Sequence, residues 1–232
     1  MLIHPDHPRC VLVTQSDVLD KDPDHPMLQG VADQLRAVFR WAREYLCQPH
    51  PELGRKGPVC PFVQGALDRG TFFLAVHRGE TVRPGELDDV LLVYRDWFRE
   101  LEPRTGPAAQ FKTILLILPD LPQTAATEVV DATQARLKPR YVAEGLMIGE
   151  FHDGPPPKGG LWNPDFRPLR SPVPLLAIRH MVPSDFPFLA DRRDFVAAYL
   201  RLFGGSVPSA LRSRVREAAA RFGLTTSIEE GS

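Results

Sequence analysis

The chain lacks most of the features that announce a functional class. Its three cysteines, Cys10, Cys47 and Cys60, are odd in number and irregularly spaced. That spacing argues against a disulfide framework and a Cys-x-x-Cys zinc site, and leaves the three as reduced thiols. Charge of one sign is also missing. The formal net charge is -1 at pH 7, so there is no basic field of the kind that non-specific nucleic-acid binding needs. No apolar run is long enough to cross a membrane, and Met1 to Pro8 has no basic region followed by an apolar core. These absences lead us to expect a soluble, cytoplasmic protein that engages neither nucleic acid nor membrane. His-Glu-x-x-His, Gly-x-Ser-x-Gly, a P-loop and Gly-x-Gly-x-x-Gly are all absent, so zincin, serine-hydrolase, nucleotide and flavin readings lose their usual support. No internal repeat is visible.

What is present is an ordinary globular composition over 232 residues, 43% hydrophobic and 25% charged, enough for one domain with a sizeable core. Proline is the outlier, with 24 residues gathered in loops. The expected layout is an N-terminal arm over 1–26, a single domain over 27–222 and a flexible tail over 223–232. Cys10 to Thr14 reads as an edge strand. Apolar residues at three- and four-residue spacing from Met27 to Leu46, among them Leu35, Val38, Phe39, Trp41 and Tyr45, mark an amphipathic helix that stops in Gln48-Pro49-His50-Pro51. Further helices are expected to Asp68, over Glu86 to Leu101, over Thr127 to Tyr141 with an interruption at Pro139, over Asp191 to Phe203 and over Pro208 to Phe222. Strands are expected at Thr71 to Val76, Phe111 to Leu118, Leu146 to Phe151 and Val173 to Ile178. Strand–helix–strand units allow parallel neighbours, and the last two strands can pair antiparallel. The fold class is α+β with α/β character: a mixed central sheet of four to five strands covered by helices.

The stretch Gly160 to Leu189 resists a regular pattern and is the expected working part. It sets one apolar strand inside an aromatic, proline-rich loop, with Trp162, Asn163, Phe166, Arg167, Arg170, Asp185 and Phe186 close together and with Arg179 and His180 at the strand end. Aromatic walls with a few polar groups suit a large flat cofactor or an apolar ligand. The arginines could grip carboxylates bidentately or make surface ion pairs. His77, Asp120, His152 and His180 each follow a strand. Parallel pairing would bring His152 and His180 to one edge of the sheet, and antiparallel pairing would send them to opposite edges. Cys60 lies before a proline near a helix start, a setting that lowers thiol pKa and in which Cys-Pro thiolates ligate heme; a buried thiol packing the loop is the alternative. A Cys60–His180 nucleophile and base is a further option. The basic turn at Gly54 to Gly57 could hold an anion, and His4, His7 and His25 invite a metal or a solvated-surface reading.

Two segments carry a resemblance. Gly57-Pro58-Val59-Cys60-Pro61-Phe62-Val63-Gln64-Gly65-Ala66-Leu67-Asp68-Arg69-Gly70-Thr71-Phe72-Phe73 and Val173-Pro174-Leu175-Leu176-Ala177-Ile178-Arg179-His180-Met181-Val182-Pro183-Ser184 resemble the corresponding segments of the YqcI/YcgG family. That family includes heme-dependent N-oxygenases acting on amino or guanidino nitrogens in natural-product biosynthesis. The resemblance implies a heme whose iron takes His180 as axial ligand, with Cys60 as pocket wall or rival ligand. It further implies Arg167 and Arg170 on propionates or on a substrate carboxylate, and Trp162 and Phe186 as aromatic walls. A small amino-acid-derived substrate, an external electron donor and a homodimer complete the expected partners. Taken whole, the chain also resembles an uncharacterised bacterial domain family. Two readings compete with N-oxygenation: a cofactor-free ligand-binding or accessory protein using the same aromatic pocket, and a cysteine-dependent transferase or hydrolase working through Cys60.

Overall fold

The computed structural model describes residues 1–19, 22–82, 85–157, 163, 165–226 and 228. The N-terminal arm begins with a short antiparallel pair, β1 (Leu2–Ile3) and β2 (Val11–Leu12). Helix α1 (Ala32–Trp41) buries Leu35, Val38 and Phe39, the positions whose spacing marks its apolar face, and widens into a π-helical turn over Ala42–Leu46. A short α2 (Val63–Asp68) leads into β3 (Phe72–Val76), α3 (Glu86–Glu100) and β4 (Thr113–Ile117). Then come α4 (Ala132–Ala143), β5 (Leu146–Phe151), β6 (Leu175–His180), α5 (Arg193–Phe203) and α6 (Arg212–Arg221). Among the described residues no helix is long and apolar enough to cross a membrane.

The last four strands of the chain form one mixed sheet in the order β3-β4-β6-β5. β3 and β4 run parallel, as a strand–helix–strand unit through α3 allows, while β6 runs antiparallel to both of its neighbours. The register sets Ile114 and Ile148 on either side of Ile178. Because side chains alternate across a strand, the sheet feeds two cores. Phe72, Leu74, Val76, Leu115, Ile117 and Leu175 meet α1 and α2 on one face. Phe73, Ala75, Ile114, Leu116, Leu176 and Ile178 meet α3 and α4 on the other. A third cluster joins α5 and α6 to Met147, Met181 and Phe186. The α+β class and the mixed four-stranded sheet agree with the sequence reading.

Three details differ. The fourth strand starts two residues later than the apolar run suggests and ends at His180, so Arg179 and His180 are inside β6 and not beyond it. Its Thr113↔Arg179 and Leu146↔His180 pairs show why: two flanking strands supply hydrogen bonds to polar positions that hydrophobicity alone would leave out. Pro139 does not interrupt α4. The carbonyl it leaves unpaired belongs to Ala135, which is exposed, so water can satisfy it. The arm is also more than a peripheral extension. Val13 exchanges backbone hydrogen bonds of 2.9 and 2.8 Å with Leu74, and Val11, Leu12 and Val13 are almost fully buried, each burial contributing about 1.5–3 kcal/mol. Leu224 and Ile228 of the expected tail likewise pack on the third cluster.

The turn after β6 is fastened by one ion pair. Arg179 donates to both oxygens of Asp185 at 2.6 and 2.7 Å, and the Val182 amide donates to the same carboxylate at 2.8 Å. Asp185 is only 3% exposed, while the Arg179 side chain is 29% exposed and also donates to His180 O, so removing the carboxylate leaves the buried Val182 amide and most of the guanidinium's donors unpaired. Asp185→Ala should therefore cost about 3 kcal/mol in urea unfolding; a loss below about 1 kcal/mol would show that the pair behaves like an exposed one.

Candidate functional site

The side chains singled out by the sequence fall into separate places. His180 ends β6 on the α3 side, its ring 4.9 Å from that of Phe98. Its Nε2 is enclosed and has no hydrogen-bond partner among the described residues. Next to it is Lys112, fully buried, whose Nζ donates to Phe98 O at 2.7 Å and Leu101 O at 2.5 Å and lies 4.4 Å from the Phe98 ring centre. Burial pushes the lysine down to about 8. Burial, and after it the Lys112 charge, push His180 down to about 4. His180 is thus a neutral imidazole near a buried cation that caps the end of α3.

Cys60 belongs to the other face. Its amide donates to Leu46 O at 2.9 Å, and its side chain packs on the core made by α1 and α2. The sheet therefore stands between Cys60 and His180, and no nucleophile–base pair is assembled from them. Phe186 is fully buried against Tyr199, ring centres 4.9 Å apart, in the third cluster. Trp162 lies outside the described residues. A porphyrin would need its axial donor, aromatic walls and propionate partners around one slot. Here the donor nitrogen is enclosed beside a cation, and Cys60, Phe186 and the arginines are dispersed, so these residues do not fit a heme held through His180.

The remaining strand-end groups are tied into the scaffold. His152 is buried, pairs with Asp131 at 3.0 Å and accepts the Gly154 amide at Nδ1, so Nε2 carries the proton toward the carboxylate. Antiparallel pairing of β5 and β6 places it at the opposite edge from His180. Asp120 accepts both Arg78 nitrogens and the Gly79 amide, which together hold its carboxyl below the usual range, the Arg78 hydrogen bond most of all. His77 faces Glu86 at 3.5 Å. The basic turn at Gly54 to Gly57 folds on itself, Arg55 donating to Lys56 O and Val59 O. His25 accepts the Met27 amide, His4 and His7 meet edge to face, and no group of three metal-ligating side chains occurs among the described residues.

Arg167 and Arg170 do converge on something. With Phe166 they line a groove of about 810 Å³ whose other wall is the outer side of α1 and the segment after it, through Arg40, Trp41, Glu44, Tyr45, His50 and Glu52. Its floor is aromatic. Trp41 and Tyr45 stack at 6.3 Å, Trp41 meets Phe151 edge-on at 5.7 Å, and His50 stacks on Phe166 at 4.6 Å. Its rim is charged and exposed: Arg40 and Arg170 beside Glu44, Glu52, Asp153 and Asp165. Asn163 donates to Glu52 O at 2.8 Å and joins the two walls. Tyr45 is pushed up by burial, an effect that Arg170 opposes through its charge. His50 accepts the Glu52 amide at Nδ1, which leaves Nε2 as a donor. A second groove, about 680 Å³, runs past His180, but its arginines are engaged: Arg95 with Asp96 at 2.7 Å, Arg99 with Glu144 at 3.4 Å and Arg104 with Glu102 at 3.1 Å.

The sequence identified one wall of the first groove and missed the other. Trp41 and Tyr45 match the apolar periodicity of α1, so they read as core. The π turn over Ala42–Leu46 adds a residue to the helical repeat at the point where Glu44 and Tyr45 sit, and such turns recur at functional sites. A signal did exist: the aromatic pair four residues apart, followed by a histidine between two prolines.

A family model described as a domain of unknown function (DUF6875) matches residues 35–214, from within α1 to within α6. No curated protein and no solved structure matches the chain.

Two outcomes follow for His180. Its ordinary pKa is 6.5 and its folded value about 4, so between those values the unfolded chain binds a proton that the folded chain refuses. Stability is then lost as pH falls through that window. From pH 7 to 4.5, His180→Gln should lose about 1–2 kcal/mol less stability than the wild type; parallel urea midpoints in both proteins would contradict the burial. Hemin titrated into wild type and His180→Ala should give the same absorption spectrum. A Soret band confined to the wild type would return His180 to iron.

Proposed function

The chain belongs to the DUF6875 family, whose description names no activity, and from its own side chains we propose that it binds a small, flat, zwitterionic ligand derived from an amino acid. The carrying observation is the composition of the α1 groove: an aromatic floor under a rim that holds both guanidinium and carboxylate groups. The floor supplies stacking for a planar group, aromatic or guanidino. Arg40 and Arg170 offer forked donors to a carboxylate. Glu44, Glu52 and Asp165 answer a cationic nitrogen. Rim charges of this exposure steer and orient a ligand, and the desolvated floor contributes most of the affinity. The function is thus ligand binding, in a binding or accessory protein.

Heme-dependent N-oxygenation rests on the two-segment resemblance. The groove suits the amino-acid-derived substrate of such an enzyme, but the residues assigned to the porphyrin are not gathered beside it, and we take no step through iron. An external electron donor and a homodimer belong to the same reading.

Thermal unfolding with defined probes tests the proposal: L-phenylalanine and L-arginine against their decarboxylated counterparts, phenethylamine and agmatine. At ten times its Kd a zwitterion should stabilise the protein by about 1.4 kcal/mol, which is roughly 3–6 °C for a chain of this size. The amine lacking the carboxylate should give a smaller shift. Arg170→Ala should weaken the zwitterion about tenfold, or about 1.4 kcal/mol, with little change in intrinsic Tm because Arg170 is exposed. No shift with any probe, or a shift indifferent to Arg170, overturns the assignment.

A further inference from the structure

The three thiols are free, but the fold does not distribute them evenly. After the π turn the chain passes Pro49, makes the turn that carries His50 and Glu52, and returns to pair Pro58 antiparallel with Pro49. The Val59 amide donates to Gln48 O and the Cys60 amide to Leu46 O, both at 2.9 Å. Cys47 caps the helical turn with αR backbone, so the Cys60 amide reaches the carbonyl of the peptide that leads into Cys47, and the Cys60 sulfur is near enough to act on the Cys47 thiol. One hydrogen bond and one peptide link the two residues, a closeness compatible with the Cα separation of about 4.4–6.8 Å that a disulfide spans. Both side chains are half-buried and pack on the same core.

Cys10 is excluded from this pairing by the sheet. It lies against the opposite core, beside Tyr94. The fold thus brings two of the cysteines together on one core and keeps the third on the other as an internal control.

We infer that Cys47 and Cys60 form a redox-active dithiol, which a small disulfide oxidant of the glutathione class converts to an intramolecular disulfide at the root of the 48–59 loop. In the first step one cysteine thiolate attacks the oxidant, forming a mixed disulfide and releasing one glutathione thiolate. In the second the other cysteine attacks the protein-side sulfur and releases the second glutathione thiolate. The protein gives up two protons and two electrons, and the oxidant becomes two thiols. Burial, and after it the Cys60 sulfur, push the Cys47 thiol above its ordinary range, so closure should speed up with rising pH. The loop closed in this way carries His50 and Glu52, which line the α1 groove, so oxidation fixes one wall of that groove covalently. The thiol chemistry stands independently of which ligand the groove takes.

Incubation of the full chain with glutathione disulfide, followed by alkylation and mass spectrometry, tests the inference. The intact mass should fall by about 2 Da with no glutathione retained, alkylatable thiols should drop to Cys10 alone, and a peptide linking Cys47 to Cys60 should appear. In Cys47→Ser the resolving thiol is gone, so Cys60 should instead keep a glutathione adduct. Three alkylatable thiols after oxidation, a stable adduct in the wild type, or a bond involving Cys10 or a second chain would each overturn it.

Discussion

Strand β6 is the constraint on which the rest depends. It is hydrogen-bonded along both edges, to β4 and to β5, and its side chains must therefore alternate between the two cores. Leu175 and Ala177 go to the α1 side, and Leu176 and Ile178 go to the α3 side. The same alternation separates its two polar terminal residues. Arg179 turns toward Asp185 and closes the following turn, whereas His180 turns under Phe98 beside Lys112. Adjacent in sequence, they cannot serve one site, because a one-residue step in a strand is a change of face.

Polar groups at the other strand ends follow a related logic. His152 with Asp131, Arg78 with Asp120 and Lys112 with the last carbonyls of α3 each satisfy donors and acceptors where a regular element stops. A buried polar group left unpaired costs about 1–3 kcal/mol, so fastening strand ends is reason enough for these residues to be there. Lys112 is the extreme case, with its charge enclosed and its ammonium spent on backbone oxygens and an aromatic face. The α1 groove departs from that pattern. It gathers cations and anions at an exposed rim over stacked rings, an arrangement that fastening does not require.

The elements were legible wherever periodicity was strong. α1 and α3 show their apolar faces at helical spacing, and β3 and β4 are continuous apolar runs covered on both sides. The antiparallel pairing of β5 and β6 was open to sequence reasoning, although the limits of β6 were not. Of the working stretch, Phe166, Arg167 and Arg170 do line the groove, and Asn163 braces it through Glu52. Phe186 and Asp185 became core and clasp, and His180 went to the far side of the sheet. Trp41 and Tyr45 remained hidden, since their helical spacing reads as core although each is half-buried and also lines the groove, and His50 remained hidden because its stacking on Phe166 joins segments far apart in the chain.

The sequence by itself determined the composition class, the order of helices and strands and one of the two segments that line the groove, because local propensity and hydrophobic period act over a few residues. Tertiary structure alone decided which side chains share a face. Register, alternation and sheet order act between residues far apart in the chain, and with the loop packing they separated Cys60 from His180 and brought His50 of the loop after α1 onto Phe166, more than a hundred positions away.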